Sequence, residues 1–165
     1  MEITENNKRF LGILAKIPMF QRLQPFQALE ILKICRPTSF DDRETLVEHG
    51  SKSNEMYILL SGNLVVTGPD GTALTTLSPI TSVGEMGIIT NQPRTANVIA
   101  SGKANVFGIS KIKFEVLMKK FPDMGFVIFR NIIQTLSMRL DNTNQQLVES
   151  QREAELLRSG DLTPP

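Results

Sequence analysis

The sequence is short of the residues on which several common functions depend. It has 165 residues but only one cysteine, Cys35, and one histidine, His49. A single cysteine cannot form a disulfide within the chain and is typical of a reducing cytoplasm, and its apolar surroundings predict a buried structural thiol. A single histidine excludes a three-histidine metal site, and no Ser–His–Asp or Cys–His set has support in the sequence. We therefore predict no metal site and no catalytic residue.

Strong net charge and long apolar runs are also missing. The formal net charge is +1, so nothing draws the whole chain toward nucleic acid or an anionic membrane. No apolar run approaches the roughly 20 residues that cross a bilayer. The polar N-terminus, MEITENNKRF, lacks the apolar segment of a signal peptide. With 41% hydrophobic and 21% charged residues, the composition is that of one soluble globular domain.

The pattern of apolar residues predicts β-structure flanked by helices. Helical spacing predicts helices over residues 5–17 and 25–35. After Pro37, short strand-like segments alternate with turn residues, which is typical of an antiparallel sandwich or barrel. These segments are residues 38–40, 45–48, 56–60, 64–67, 74–77, 97–100 and 105–109. The helical period returns over residues 111–121 and, after a break at Pro122, over residues 123–158.

The last predicted helix changes character along its length. Its first part is strongly apolar, whereas its second part is polar except for one stripe at heptad spacing. The stripe consists of Leu136, Leu140, Thr143, Leu147, Ser150, Ala154 and Leu157. Two polar members weaken this seam, so we predict a modest parallel homodimer; the alternative is a solvated helix on which the stripe is incidental. Residues 159–165 contain glycine and two prolines and predict a linker or tail.

Between the strands, residues 84–96 (GEMGIITNQPRTA) combine groups that suit a sugar phosphate. Glycines allow close approach of the backbone. A short helical turn beginning near Glu85 would point free amides at an anion. Glu85 can accept hydrogen bonds from hydroxyl groups, and the planar guanidinium of Arg94 suits a phosphate. Spacing alone leaves an alternative open, in which Glu85 is an acid at a helix N-terminus and Arg94 is its surface partner.

This segment resembles the phosphate-binding cassette of the cyclic nucleotide-binding domain family, which includes catabolite activators, regulatory subunits of cAMP-dependent kinase and cyclic-nucleotide-gated channels. The matching residues are 83–88 (VGEMGI) and 93–96 (PRTA), and residues 56–66 resemble the family's hairpin around a glycine, here Gly62. The sequence departs from the family at Val83, where an aromatic residue is usual, and at residues 80–81, where a Gly-Asp turn is usual.

The resemblance implies an α+β fold. An antiparallel β jelly roll, or double-stranded β-helix, would carry N-terminal helices, a short cassette helix and C-terminal B and long C helices. Residues 1–122 would form the cyclic nucleotide-binding jelly roll with its N-terminal helices and B helix. Residues 123–158 would form the C helix, which covers the ligand and carries the possible dimer seam, and residues 159–165 the linker or tail.

The resemblance also implies roles for individual residues. Arg94 would pair with the exocyclic oxygen of a cyclic phosphate, and Glu85 would accept from the ribose 2′-hydroxyl. The hydroxyl of Thr95 would bond the phosphate and is compatible with both cAMP and cGMP. Backbone amides would come from Gly84, Met86, Gly87 and Ala96. The base would be capped from the C helix by Thr143 and Asn144, with Arg139 as a third candidate.

The implied function is a cytoplasmic sensor of cAMP or cGMP that transmits ligand occupancy through its C helix. The expected partners are the cyclic nucleotide, a second copy of the chain, and a downstream effector domain or partner protein; no enzymatic activity, cofactor, nucleic-acid contact or membrane span is expected. Two alternatives remain. The chain could be the sensor part of a longer signalling enzyme or of a longer transcription regulator. Only the transcription regulator would need a helix-turn-helix after the C helix. The chain could also be a degenerate domain used for protein contact, against which Glu85 and Arg94 argue.

Overall fold

The computed structural model describes residues 5–52 and 54–159. Helices precede and follow the strands along the chain, as predicted. The helices are α1 (Glu5–Leu14), α2 (Pro25–Ile34), α3 (Glu85–Thr90), α4 (Lys111–Lys120) and α5 (Pro122–Ser159), with a 3-10 turn at Pro18–Phe20. The strands are β1 (Cys35–Phe40), β2 (Thr45–Val47), β3 (Glu55–Thr67), β4 (Ala73–Leu77), β5 (Thr81–Val83) and β6 (Asn97–Ser110). Within these ranges, no helix combines the length and apolarity needed to span a bilayer.

The six strands form one antiparallel system built around β3 and β6. Strand β6 pairs with β1, β2 and β3, and β3 also pairs with β4 and β5. Helix α3 lies in the connection between β5 and β6, so the cassette interrupts the strands where the resemblance placed it. The predicted antiparallel sheet with flanking helices is therefore present.

The predicted hairpin around Gly62 is wrong, because β3 runs through this residue as one strand. Gly62 bends the strand with a φ of +84°, and a Cβ here would lie 2.3 Å from the carbonyl oxygen of Lys103 on β6. Only glycine tolerates both this φ and this approach. The register between β3 and β6 shifts between Leu59 and Ser61, just before the bend, and again between Ser61 and Asn63, across it. Strand β6 likewise joins the segments predicted separately as residues 97–100 and 105–109.

Smaller differences concern the ends of elements. The first helix ends at Leu14 and not at residue 17, because Ile17 is extended before Pro18, as residues preceding proline prefer. Strand β5 was not predicted; it has three residues and pairs only with β3. Helix α5 begins at Pro122, one residue earlier than predicted, since proline is compatible with the first helical position. Most of the predicted linker, residues 160–165, lies outside the described residues.

The core has two parts because alternate residues of β3 face opposite sides. Met56 and Ile58 belong to a cluster between the sheet and the helices, whereas Tyr57 and Leu59 belong to a cluster inside the sheet. Cys35 is half-buried at the start of β1, where burial raises the pKa of its thiol to about 12. Its Sγ donates to the Ile31 carbonyl at 3.3 Å, as fits a structural thiol.

Candidate functional site

Helix α3 begins directly after Gly84, and this glycine shapes the start of the cassette. Gly84 has a φ of +85°, and a Cβ there would lie 2.4 Å from Nη1 of Arg94 and 3.3 Å from the carbonyl oxygen of Glu55. A larger residue would therefore be strained and would displace the arginine. With glycine in place, Nη1 of Arg94 donates to the Gly84 carbonyl at 3.1 Å. The glycine thus brings the start of α3 and the arginine into contact.

Arg94 is a buried cation held by backbone carbonyls. Only 8% of the residue is exposed. Besides the bond to Gly84, its Nη2 donates to the carbonyl of Glu55. Burial lowers the pKa of the guanidinium, while Tyr57, Glu85 and Glu55 act in the opposite direction. Within the described ranges, no carboxylate forms an ion pair with it, so its positive charge has no directly bonded counter-charge.

Two backbone bonds fix Arg94 to the loop that precedes β3. Its amide donates to the carbonyl of Ser51 at 3.0 Å, and its carbonyl accepts from the amide of Gly50 at 2.8 Å. Pro93, directly before it, restricts the backbone of the approaching chain. The position of the arginine is therefore set by the main chain, and the side chain is aimed at the start of α3.

Glu85 is a buried acid whose two oxygens have different surroundings. The residue is 4% exposed. Oε1 accepts from Nη1 of Arg139 on α5 at 2.7 Å, whereas Oε2 is buried without a hydrogen-bond partner among the described residues. Arg139 also donates through Nη2 to the carbonyl of Ser82 at 3.4 Å. A buried acceptor without a donor is uncommon, so Oε2 retains the capacity to bind an incoming hydroxyl group.

A cavity of about 450 Å³ lies beside Arg94. Its size falls in the range usual for small-molecule sites, and its lining is rich in polar groups. The lining includes Thr45, Glu48, Ser51, Lys52, Asn54, Glu55, Tyr57 and Arg94. A larger cavity of about 700 Å³ lies between α3, α4 and α5, but apolar residues such as Ile88, Phe114 and Phe129 dominate its lining. The cavity beside Arg94 is therefore the better candidate for an anionic ligand.

The structure brings together four of the predicted site residues: Gly84, Glu85, Arg94 and Arg139. It does not pair Glu85 with Arg94 on the surface, so the alternative of a surface ion pair is excluded by the burial of both side chains. Of the other cassette residues, Met86 and Thr95 are exposed, Gly87 is buried and Ala96 is half-buried.

The three residues predicted to cap the base differ in their contacts. Arg139 reaches the carboxylate of Glu85, the predicted ribose acceptor. Thr143 donates to the carbonyl of Arg139 at 2.9 Å within the helix. Both Thr143 and Asn144 are exposed, and no hydrogen bond of the described residues joins either of them to the cassette. Whether they meet a base stays a prediction.

Sequence reasoning missed the residues that support the site through their backbone. The carbonyls of Glu55 and Ser82 hold the two arginines, and every residue type offers a carbonyl, so no motif reveals them. The register of β3 and β5 could have suggested their proximity, since Tyr57 pairs with Val83. That register requires the short strand β5, which the sequence pattern does not show.

Comparison with known proteins identifies the family. A sequence model described as the cyclic nucleotide-binding domain matches residues 37–121, a little over half of the chain. The chain therefore belongs to the cyclic nucleotide-binding domain family, as the resemblance in the cassette predicted. Domains of this family are regulatory and not catalytic.

Individual relatives extend the comparison to longer proteins. The chain is 30% identical over 134 residues to Glutaminase 1 of Bradyrhizobium diazoefficiens, a match that covers 81% of this chain and 22% of the glutaminase. It is 24% identical to a cyclic nucleotide-gated potassium channel of Rhizobium etli, over 74% of this chain and 34% of the channel. The chain thus spans about a fifth and about a third of the lengths of these curated relatives.

A solved structure confirms the fold. The regulatory domain of Toxoplasma gondii PKA with cAMP superimposes with a TM-score of 0.67 at 22% identity, covering 82% of this chain and 49% of that one. The shared architecture is the jelly roll with a long C-terminal helix.

Proposed function

We propose that this chain is a cyclic nucleotide sensor, which binds cAMP or cGMP through Arg94 and Glu85 and transmits occupancy through α5. The observation that carries the proposal is the buried guanidinium of Arg94, which has only carbonyls as hydrogen-bond partners in the described structure. Burial of a cation without a counter-charge is costly, and a cyclic phosphate would supply that charge. The protein would act as a regulatory module without catalysis of its own.

The arrangement of Glu85 supports a ligand that carries a hydroxyl group beside its phosphate. Oε2 of Glu85 is a buried acceptor without a donor among the described residues, and a ribose 2′-hydroxyl would supply one. Arg94 would exchange its carbonyl partners for phosphate oxygens, since these carry the negative charge that neutral carbonyls lack. Around them, the backbone of Gly84, Met86, Gly87 and Ala96 and the hydroxyl of Thr95 would complete the phosphate and ribose contacts.

Transmission through α5 is supported by the bond between Arg139 and Glu85. This bond joins α5 to the acceptor that the ribose would use, so ligand and helix meet at one carboxylate. A ligand shifts such an equilibrium only by its difference in affinity for the two arrangements. The shift would reach a second copy of the chain, a downstream effector domain or a partner protein, in the cytoplasm.

A homodimer through α5 is supported by its exposed stripe. Leu140, Leu147 and Leu157 are 60%, 56% and 69% exposed, and they follow the heptad spacing of a coiled-coil seam. Apolar side chains aligned in this way are characteristic of an interaction surface. In a dimer, Thr143 and Asn144 would lie near the seam, from which they could reach a base.

The proposal is tested by calorimetric titration of cAMP and cGMP into nucleotide-free wild type and Arg94→Ala. Loss of a charge-assisted phosphate contact should cost about 1.5–3 kcal/mol, or about tenfold to more than a hundredfold in affinity. Arg152→Ala is the matched control, because Arg152 is an exposed arginine on the distal part of α5. Its affinity should equal that of wild type, and the ratio of the two ligands would identify the preferred nucleotide.

Thermal melts accompany the titration, because a variant that fails to fold would also fail to bind. Nucleotide should raise the melting temperature of wild type and of Arg152→Ala, but hardly that of Arg94→Ala. A folded, nucleotide-free wild type that gives neither heat nor a melting shift with either nucleotide would refute the sensor function.

A further inference from the structure

Two charged side chains and the only tyrosine of the chain meet at the edge of the cavity beside Arg94. Nη2 of Arg36 lies 3.3 Å from both carboxylate oxygens of Glu55. The hydroxyl of Tyr57 donates to Oε2 of the same carboxylate at 3.0 Å. The backbone carbonyl of Glu55, in turn, accepts from Arg94. Glu55 therefore binds Arg94 through its backbone carbonyl and also carries a carboxylate that could neutralise the charge of Arg94.

The strand register explains how Arg36 reaches Glu55. Arg36 on β1 is opposite Gly108 on β6, and Gly108 is opposite Tyr57 on β3. Because Gly108 has no side chain, Arg36 can cross β6 to the carboxylate on β3. A Cβ at Gly108 would already contact Tyr57 at 3.6 Å and Oε2 of Glu55 at 3.7 Å, so a longer side chain would occupy the space in which these groups meet.

We infer that Arg36 is a positioning residue of the anion site, which engages the carboxylate of Glu55 and so prevents it from pairing with Arg94. The inference rests on the proposed function, since it concerns the affinity of that same site for a cyclic phosphate. A buried guanidinium strongly favours an acidic partner. If Glu55 were free to turn, its carboxylate would compete with the phosphate for Arg94.

The exposure of the pair indicates that its effect falls on the site and hardly on the stability of the fold. The side chains of Arg36 and Glu55 are 63% and 28% exposed, and exposed ion pairs contribute little to folding. The four groups also influence one another electrostatically. Burial and Glu55 raise the pKa of Tyr57, while Arg94 and Arg36 lower it, and Glu55 favours the charged form of Arg94.

The inference is tested by nucleotide titration of Arg36→Gln, Arg36→Lys, Glu55→Gln and the double variant Arg36→Gln/Glu55→Gln. Arg36→Gln should bind about threefold to tenfold more weakly than wild type, as expected for one partly exposed charge. Arg36→Lys keeps the positive charge and should restore most of the affinity. The double variant should bind as tightly as wild type, because it lacks the competing carboxylate. Melting temperatures without nucleotide should change little across the set.

A second readout requires no nucleotide. Tyr57 is the only tyrosine and the chain has no tryptophan, so alkaline absorbance titration follows this residue alone. Glu55→Gln should lower the pKa of Tyr57, because it removes the negative charge that accepts the tyrosine hydroxyl. Arg36→Gln should lower this pKa as well, because Glu55 would then turn from Tyr57 to Arg94, and the hydrogen bond to Glu55 raises the pKa more than the charge of Arg36 lowers it. A pKa of Tyr57 that is the same in wild type and Arg36→Gln would overturn the inference.

The outcomes separate the two proposals. Wild type that binds neither nucleotide refutes the sensor function, and the tyrosine titration still decides whether Arg36 keeps the carboxylate of Glu55 beside Tyr57. Wild type that binds, with Arg36→Gln equally tight, overturns the inference and leaves the sensor function standing. A double variant as weak as Arg36→Gln also overturns it, since the loss would then not come from Glu55.

Discussion

The two halves of α5 share one backbone conformation but are stabilised in different ways. In the first half, Met124, Ile128 and Ile132 are buried in the core. The amide of Asn131 there donates to the carbonyls of Met19 at 3.3 Å and Gln21 at 2.8 Å. In the second half, every residue from 137 to 158 is exposed. The comparison shows that packing fixes the first half, whereas the second depends on local helical preference and on whatever its apolar stripe contacts.

The border between the halves lies next to the proposed nucleotide site. Arg139 is in the first exposed turn of α5 and is the residue that bonds Glu85. A helix without tertiary packing is only marginally stable in water, so the exposed half can respond to small free energies. The bond between Arg139 and Glu85 therefore lies where α5 passes from its packed half to its exposed half.

The largest effect is expected from Ile128→Ala in the buried half. Ile128 is fully buried, and truncation of a buried isoleucine typically lowers the free energy of unfolding by about 2–5 kcal/mol. Leu147→Ala is the control in the exposed half and should change it by less than about 0.5 kcal/mol. Denaturant unfolding at low protein concentration measures both. Equal losses of unfolding free energy in the two variants would show that packing does not stabilise the two halves differently.

An intermediate effect is expected from Arg139→Ala at the border. Loss of the donor leaves the buried carboxylate of Glu85 without a hydrogen-bond partner in the described part of the chain, which should cost about 1–3 kcal/mol of unfolding free energy. Arg152→Ala, on the exposed half, should cost almost nothing. A double-mutant cycle with Glu85→Gln isolates the pair, and strictly additive changes would show that the bond contributes nothing to stability.

The smallest effect on folding, but a clear effect on assembly, is expected from Leu147→Asp. A charge in the proposed seam should abolish concentration-dependent dimerisation in sedimentation velocity, because coiled coils require apolar residues at these positions. The unfolding free energy of the monomer should change by less than about 0.5 kcal/mol. Gln145→Asp, on an exposed position outside the stripe, should leave dimerisation intact. Wild type that is monomeric at all concentrations would refute the seam.

The fold could be predicted where its signals are local. The glycine before Glu85 predicts the start of α3, and apolar residues at helical spacing predict α4 and α5. These signals act within a few residues, and the structure has the three helices close to their predicted positions. The bend at Gly62 could not be distinguished from a hairpin, because a glycine with positive φ serves both. The backbone of Lys103 on β6 decides between them, since it approaches Gly62 too closely for any side chain.

Part of the candidate site could also be predicted from local signals in the sequence. Glu85 and Arg94 stand in a recognisable local motif, so they could be named as candidate site residues from the sequence alone. The pairing of Arg139 with Glu85 could not be predicted, because the two residues are 54 positions apart in the chain. The contact between Arg36 and Glu55 was also hidden, since it depends on the order of three strands and on a missing side chain at Gly108.

The amino-acid sequence by itself determined the class of the fold, the position of the cassette and the helical period of α5. The helices and the antiparallel strands follow from short-range periodicity and from the backbone preferences of glycine and proline, whereas the jelly roll and the position of the cassette were implied by the resemblance to a known family. Only the tertiary structure decided that Arg94 is buried among carbonyls, that one oxygen of Glu85 is held by α5 while the other is open, and that Glu55 is engaged by Arg36. The reason is physical: a charge is stabilised by the groups that surround it in space, and those groups come from distant parts of the chain.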